Sequence, residues 1–254
     1  MPVIHLEDYK RVEPEEFLIK FQQLWAAQKE ELKIIVGDPP DTRRVKSEHW
    51  KQWKKNQESA LLLLMVGYSM ALLNRQMEEI QDEVDDDEDI DFDDIDEEFV
   101  RETRTRARFA SQRINNTTRS LLQDQVKEYS EEDGEFDLGL LFPDHRAEMI
   151  VRNEMTAARR IATQSIHTSL TDQGVKSYLI WTMNPCDHCQ VCPLLDGTPE
   201  EFWSQFTDGP PLHPNCCCDL TIVFGRKSDL IRSGQMRRNP SVDRLEAAIE
   251  KYGF

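Results

Sequence analysis

The chain has 254 residues, 39% hydrophobic and 31% charged, with a mean hydropathy of −0.64 and a formal charge of −17. That length holds one or two domains with a real core, and the polarity requires long solvated stretches beside it. A pI near 4.8 opposes a protein whose whole surface grips nucleic acid. Met1–Lys10 has neither the basic start nor the apolar stretch of a secretory leader, so the chain reads as cytoplasmic in origin.

Residues 1–81 read as a helical N-terminal region. Pro14 and Glu15–Glu16 mark a helix start, with Phe17, Leu18, Phe21, Leu24 and Trp25 at helical spacing. Asp38-Pro39-Pro40-Asp41 breaks it. A second helix is expected from Ser47 through Met77, carrying Trp50, Trp53 and the apolar run Ala60–Leu73. That run is shorter than the roughly 20 residues a bilayer span requires, so no membrane partner is expected. Together these helices hold more apolar surface than a hairpin buries against itself, which predicts a protein-docking surface.

From Asp82 to Glu98, 13 of 17 residues are Asp or Glu. Self-repulsion makes 82–98 an acidic linker; a calcium loop is disfavoured because the run lacks the glycine that turns an EF-hand. Residues 99–140 hold an arginine-rich helix to about Tyr129 and a polar linker. Arg101, Arg104, Arg106, Arg108, Arg113 and Arg119 suit either phosphate contacts or local ion pairs.

Residues 141–226 form the next unit. Asp144 is the expected cap of a helix to Thr171, whose apolar stripe of Ala147, Val151, Ala158 and Ile161 also holds Glu154. A carboxylate there is either exposed by rotation of the stripe or paired, with Arg152 or the donors of the His213–Cys216 loop as partners. Strands are expected at Val175–Met183 and Cys218–Phe224. Between them, Thr198-Pro199-Glu200-Glu201 should cap a short helix. A basic loop and a C-terminal helix with Val242, Leu245, Ile249 and Tyr252 on one face complete the chain over 227–254. The fold class is therefore mainly α, with a small α+β C-terminal domain stapled by metal.

All six cysteines lie between Cys186 and Cys218. Cys189-x2-Cys192, a 20-residue excursion, then His213-Pro214-Asn215-Cys216-Cys217-Cys218 is metal-ligand spacing. Four of Cys189, Cys192, His213, Cys216 and Cys218 are expected to hold one structural zinc ion. Pro185-Cys186-Asp187-His188-Cys189 matches half of the zinc-deaminase signature, but that chemistry also needs His-x-Glu at the metal, and residues 141–226 hold none; His5-Leu6-Glu7 lies some 180 residues before the cysteines. There is also no Gly-rich phosphate loop, His-Glu-x-x-His helix or Gly-x-Ser-x-Gly elbow. No enzyme activity is expected.

Five blocks, in order, resemble the Mu F-like minor head protein family of tailed phages, also called the phage head morphogenesis family. They are Arg146–Glu154, Gly174-Val175, Trp181, Cys189-x2-Cys192-Pro193-Leu194-Leu195-Asp196-Gly197, and Pro210–Cys218. The chain departs from the family pattern at Asn153, where threonine is usual, at Cys217, where arginine is usual, and in the extra Cys186. The resemblance carries Arg152, Glu154, Trp181, Asp196 and Gly197 over as structural positions beside the metal ligands. It implies a non-enzymatic protein of the virion, at the head interior or portal vertex and in the host cytoplasm during assembly. Its implied partners are the portal, other head proteins and DNA. A zinc-dependent nucleic-acid-binding or nucleic-acid-processing module is the second reading, supported by the arginine helix and the basic tail.

Overall fold

Phe17, Phe21, Trp25, Gln28, Leu32 and Val36 recur every three or four residues, which puts all six on one helical face. The computed structural model, which describes residues 11–83, 90, 95–132, 136–185 and 189–252, shows this helix as α1 (Pro14–Val36) with all six side chains buried. Gly37, at φ 72°, ends it by donating its N–H to the Lys33 carbonyl.

Helix α2 (Ser47–Glu83) runs past the expected end at Met77, and α3 (Ile95–Glu132) begins inside the acidic run. Both ends of the expected linker are therefore helical. Ile95 and Phe99 anchor the first turns of α3 in the core, and carboxylates there are favoured by the helix dipole. Ile90 is buried; residues 84–89 and 91–94 of the expected linker lie outside the described residues. Helix α4 (Asp144–Asp172) is preceded by Pro143 at the cap position, so Asp144 is its first residue and not its cap.

These four helices share one core. Phe21 and Trp25 of α1, Trp53, Leu61, Met65 and Leu73 of α2, Phe99 and Ile114 of α3, and Ala158, Ile161 and Ile166 of α4 are all buried within it. A chain of amides crosses it. Gln57 donates to Gln28 Oε1 at 2.7 Å and Asn115 donates to Gln57 Oε1 at 3.1 Å, all three residues being at most 5% exposed. By length and composition α2 could cross a membrane, yet its apolar residues fill this core. Much of the apolar surface on which docking was expected is buried within the chain, because α3 and α4 pack on α2 and α4 packs on α1. Among the described residues of α1 and α2, Ile19, Ile34 and Leu63 remain as large exposed apolar side chains.

The C-terminal lobe is built on an antiparallel pair, β1 (Ser177–Thr182) and β2 (Asp219–Phe224), in register from Ser177↔Phe224 to Thr182↔Asp219. Two four-residue helices intervene, α5 (Cys192–Leu195) and α6 (Glu200–Trp203). Pro199 takes the cap position of α6, and Thr198, expected there, donates its hydroxyl to the Leu195 carbonyl. The expected basic loop is instead helix α7 (Lys227–Ser233), because Leu230 buries against Ile180 and Met236. In α8 (Val242–Tyr252) Leu245 is buried but Val242 is 43% exposed, so Val242 is not on the buried face. Leu179, Trp181, Leu195, Phe202, Trp203, Leu220 and Leu245 form a second core. Helix α4 packs on both strands, and Ile222 touches both cores.

Candidate metal centre

Two short loops bring the sulfurs together. In the first, the Cys192 N–H points at Cys189 Sγ (3.4 Å), and the two sulfurs are 3.4 Å apart. In the second, the Cys216 N–H closes a turn on the His213 carbonyl, and Asn215 takes φ 61°, a left-handed conformation that asparagine tolerates well. The loops meet at Cys192. It belongs to one group with Cys189 and His213 and to another with Cys216 and Cys218, ligand atoms within each group lying within 4.8 Å of one another. Cys192, Cys216 and Cys218 are buried; Cys189 and His213 are half-buried.

His213 is set in the tautomer a metal requires. Its Nδ1 lies 2.8 Å from the Pro214 carbonyl, which can only accept, so Nδ1 carries the proton and Nε2 faces Cys192 Sγ at 3.4 Å. The electrostatics show a cluster short of positive charge. Hydrogen bonds from Cys192 and Cys218 hold Cys216 well below the usual thiol range. Cys192 is pushed up by donating to Cys216 and Cys218 and by burial. Cys218 is pushed up to about 12 by the balance of its contacts with Cys192 and Cys216 and by burial. The hydrogen bond to Cys216 raises His213 to about 9, against burial. One anion shared among packed thiols is the state that a dication relieves by replacing protons. Four free cysteines and one imidazole fit a soft, four-coordinate ion.

Of the other cysteines, Cys217 is disulfide-bonded and outside both donor groups; Cys186 and His188 lie outside the described residues.

Surrounding residues hold the two loops in place. Asp196 accepts from the Met183 N–H at 2.9 Å, tying the Cys192 knuckle to the end of β1. Gly197 donates its N–H to the Trp181 carbonyl (2.8 Å) and accepts at its carbonyl from the Arg237 N–H (2.7 Å). It holds φ 74°, where a Cβ would lie 2.8 Å from Arg237 Cγ. Trp181 is fully buried, edge-on to Trp203 at 6.1 Å. Helix α4 carries the second loop: Asn153 Oδ1 accepts from the Asn215 N–H (2.9 Å), and Thr156 donates to the Cys216 carbonyl (3.2 Å). One turn on, Arg159 pairs with Asp219 at 3.0 Å. Burial pushes the Asp219 carboxyl up, and Arg159 only partly offsets it.

Glu154 is buried, as its place on the stripe allows, but neither expected partner holds it. Arg152 is exposed and makes no ion pair, and the His213–Cys216 loop binds Asn153 and Thr156 instead. The partner is Arg106 of α3, bidentate at 2.7 and 2.9 Å. The sequence offered a signal for it, since Arg106 borders the Ala107–Ala110 stripe on the helical wheel while the other arginines sit farther round. A second cation, Arg160, lies nearby. Burial and then the charge of Arg106 lower its pKa, and it donates to the Asp208 carbonyl.

No family model, curated protein or solved structure matches the chain.

Proposed function

We propose that this chain is a minor head protein of a tailed phage. In this reading it is a non-enzymatic component that associates with the portal during procapsid assembly and serves DNA packaging or release. Its C-terminal lobe is stapled by one structural zinc ion. The reading rests on the five sequence blocks that resemble the Mu F-like family, and one observation supports it most directly. Four of the five carried-over structural positions have building roles: Asp196, Gly197 and Trp181 brace the knuckle of the C-terminal lobe, and Glu154 ties α4, which carries that lobe, to α3.

Zinc is the ion favoured by three or four thiolates with at most one imidazole, and closed sulfur-rich sites are structural. Cys192 is the one donor common to both groups, so a four-coordinate site uses it with three of the other four. The protein would reside at the head interior or portal vertex, with other head proteins as neighbours.

The test is co-expression of the full chain with the portal protein encoded beside it, followed by size-exclusion chromatography and metal analysis. A stable complex and one zinc per chain are expected. Separate elution of the two proteins would remove the portal role; absence of metal from a folded lobe would remove the staple.

A further inference from the structure

Within α3, the 21 residues from 103 to 123 hold five arginines and no Asp or Glu. In a chain of net charge −17 such a stretch stands apart. Arg106 turns inward to Glu154. Among the described residues, the guanidinium groups of Arg104, Arg108, Arg113 and Arg119 make no hydrogen bond or ion pair, and the last three are exposed. Arg101, by contrast, is neutralised by Glu98 and Glu102. Among the described residues, local ion pairing, one of the two readings of this helix, is therefore confined to its first turns.

Among the unpaired cations sits Phe109, 54% exposed, with the Arg113 guanidinium 5.7 Å and the Arg106 guanidinium 5.9 Å from its ring centre. Thr105, Gln112, Asn116 and Ser120 complete the exposed face with neutral polar groups. At about 1.5 Å of rise per residue, the four arginines are spaced at roughly 6–9 Å along the axis. Around the axis Arg104, Arg108 and Arg119 lie along one edge of the exposed face, and Arg113 lies with Phe109 along the other, so a strand crossing the face meets cations on both sides of the ring. Cations at this spacing around a flat exposed ring match what an unpaired polynucleotide offers, phosphates outside and base faces within.

We propose that the solvent face of α3 is a binding site for single-stranded nucleic acid, with Arg104, Arg108, Arg113 and Arg119 on phosphates and Phe109 stacked on a base. The site stands on α3 alone and requires neither the head-protein reading nor the metal.

Fluorescence anisotropy of the full-length protein with a labelled oligothymidylate tests it. Four phosphate contacts give a log–log salt slope of about −3 for a single strand. The variant Arg108→Gln/Arg113→Gln/Arg119→Gln, all at exposed positions, should flatten the slope to about −1, and the matching lysine triple should restore most of it. Phe109→Ala should weaken single-strand binding about tenfold while leaving weaker duplex binding unchanged. Undetectable binding at low salt, or binding that the glutamine triple leaves intact, overturns the proposal. So does equal binding of polyglutamate with no effect of Phe109→Ala, which would make this face a dock for an acidic protein.

Discussion

Glu154 is 5% exposed and joins two helices through an arginine 48 residues away in the chain. Removing one member of a buried pair strands the other charge, at a cost of about 3–5 kcal/mol. Arg106 retains some solvent, its side chain being 21% exposed, so Glu154→Ala should fall near the lower end. Arg106→Met with Glu154→Met should recover part of the loss, since no charge of the pair is then stranded, although Arg160 loses a nearby counter-charge. Urea denaturation of the double-mutant cycle measures this; a loss below about 0.5 kcal/mol for Glu154→Ala, the usual surface effect, would mean the pair contributes nothing. Gly197→Ala combines a left-handed backbone, costing about 1–2 kcal/mol, with a clash on Arg237. Adding Arg237→Ala should relieve the clash and leave the backbone cost, read as a Tm still lowered by roughly 2–4 °C per kcal/mol. An unchanged Tm for Gly197→Ala alone would contradict the geometry.

At the scale of elements, the two cores respond differently to loss of metal. Helices α1 to α4 bury their apolar faces against one another, while β1, β2 and the two loops depend on the cysteine cluster. Chelation, or Cys189→Ser, should therefore keep most of the far-UV helical signal and abolish the near-UV contribution of the Trp181–Trp203 pair. Collapse of both signals together would show the two cores to be one cooperative unit. Protons compete with the ion for its ligands. His213 at about 9 and Cys218 at about 12 are protonated at neutral pH without metal, so binding must displace protons and affinity should rise from pH 6 to 8. An indicator titration would count the protons, and a pH-independent affinity would exclude these ligands.

These elements also show what a sequence reveals. The α1 stripe, the cysteine spacing and both strands were legible because each is a local pattern of period 3.6, a ligand motif or a β-branched run. Arg106 as the partner of Glu154 was legible only in part: its place beside the α3 stripe turns it inward, but pairing across 48 residues leaves no periodic trace that names the carboxylate. Helix α7 was hidden for a related reason: its single buried residue, Leu230, earns its place from Ile180 and Met236 in other elements. The apolar excess of α1 and α2 was legible as needing a cover, and α3 and α4 of the same chain supply much of it.

For the molecule as a whole, α4 belongs to both halves, so no cut between them is neutral. A fragment of residues 1–130 would lose Ala158, Ile161 and Ile166 from the bundle core. It should aggregate or bind a fluorescent hydrophobic probe, whereas a fragment of residues 1–174 should remain soluble and helical; monomeric, probe-free 1–130 would refute the shared-core description. The amide chain Gln28–Gln57–Asn115 has a consequence at this scale as well. Sliding α1, α2 or α3 by one turn, about 5.4 Å, would part groups that bond at 2.7 and 3.1 Å and leave them among hydrocarbon. The three helices thus have a single alignment, like the teeth of a key in one lock. A force that shears one of them past the others must break at least one of these bonds, so part of the load passes to the neighbouring helices.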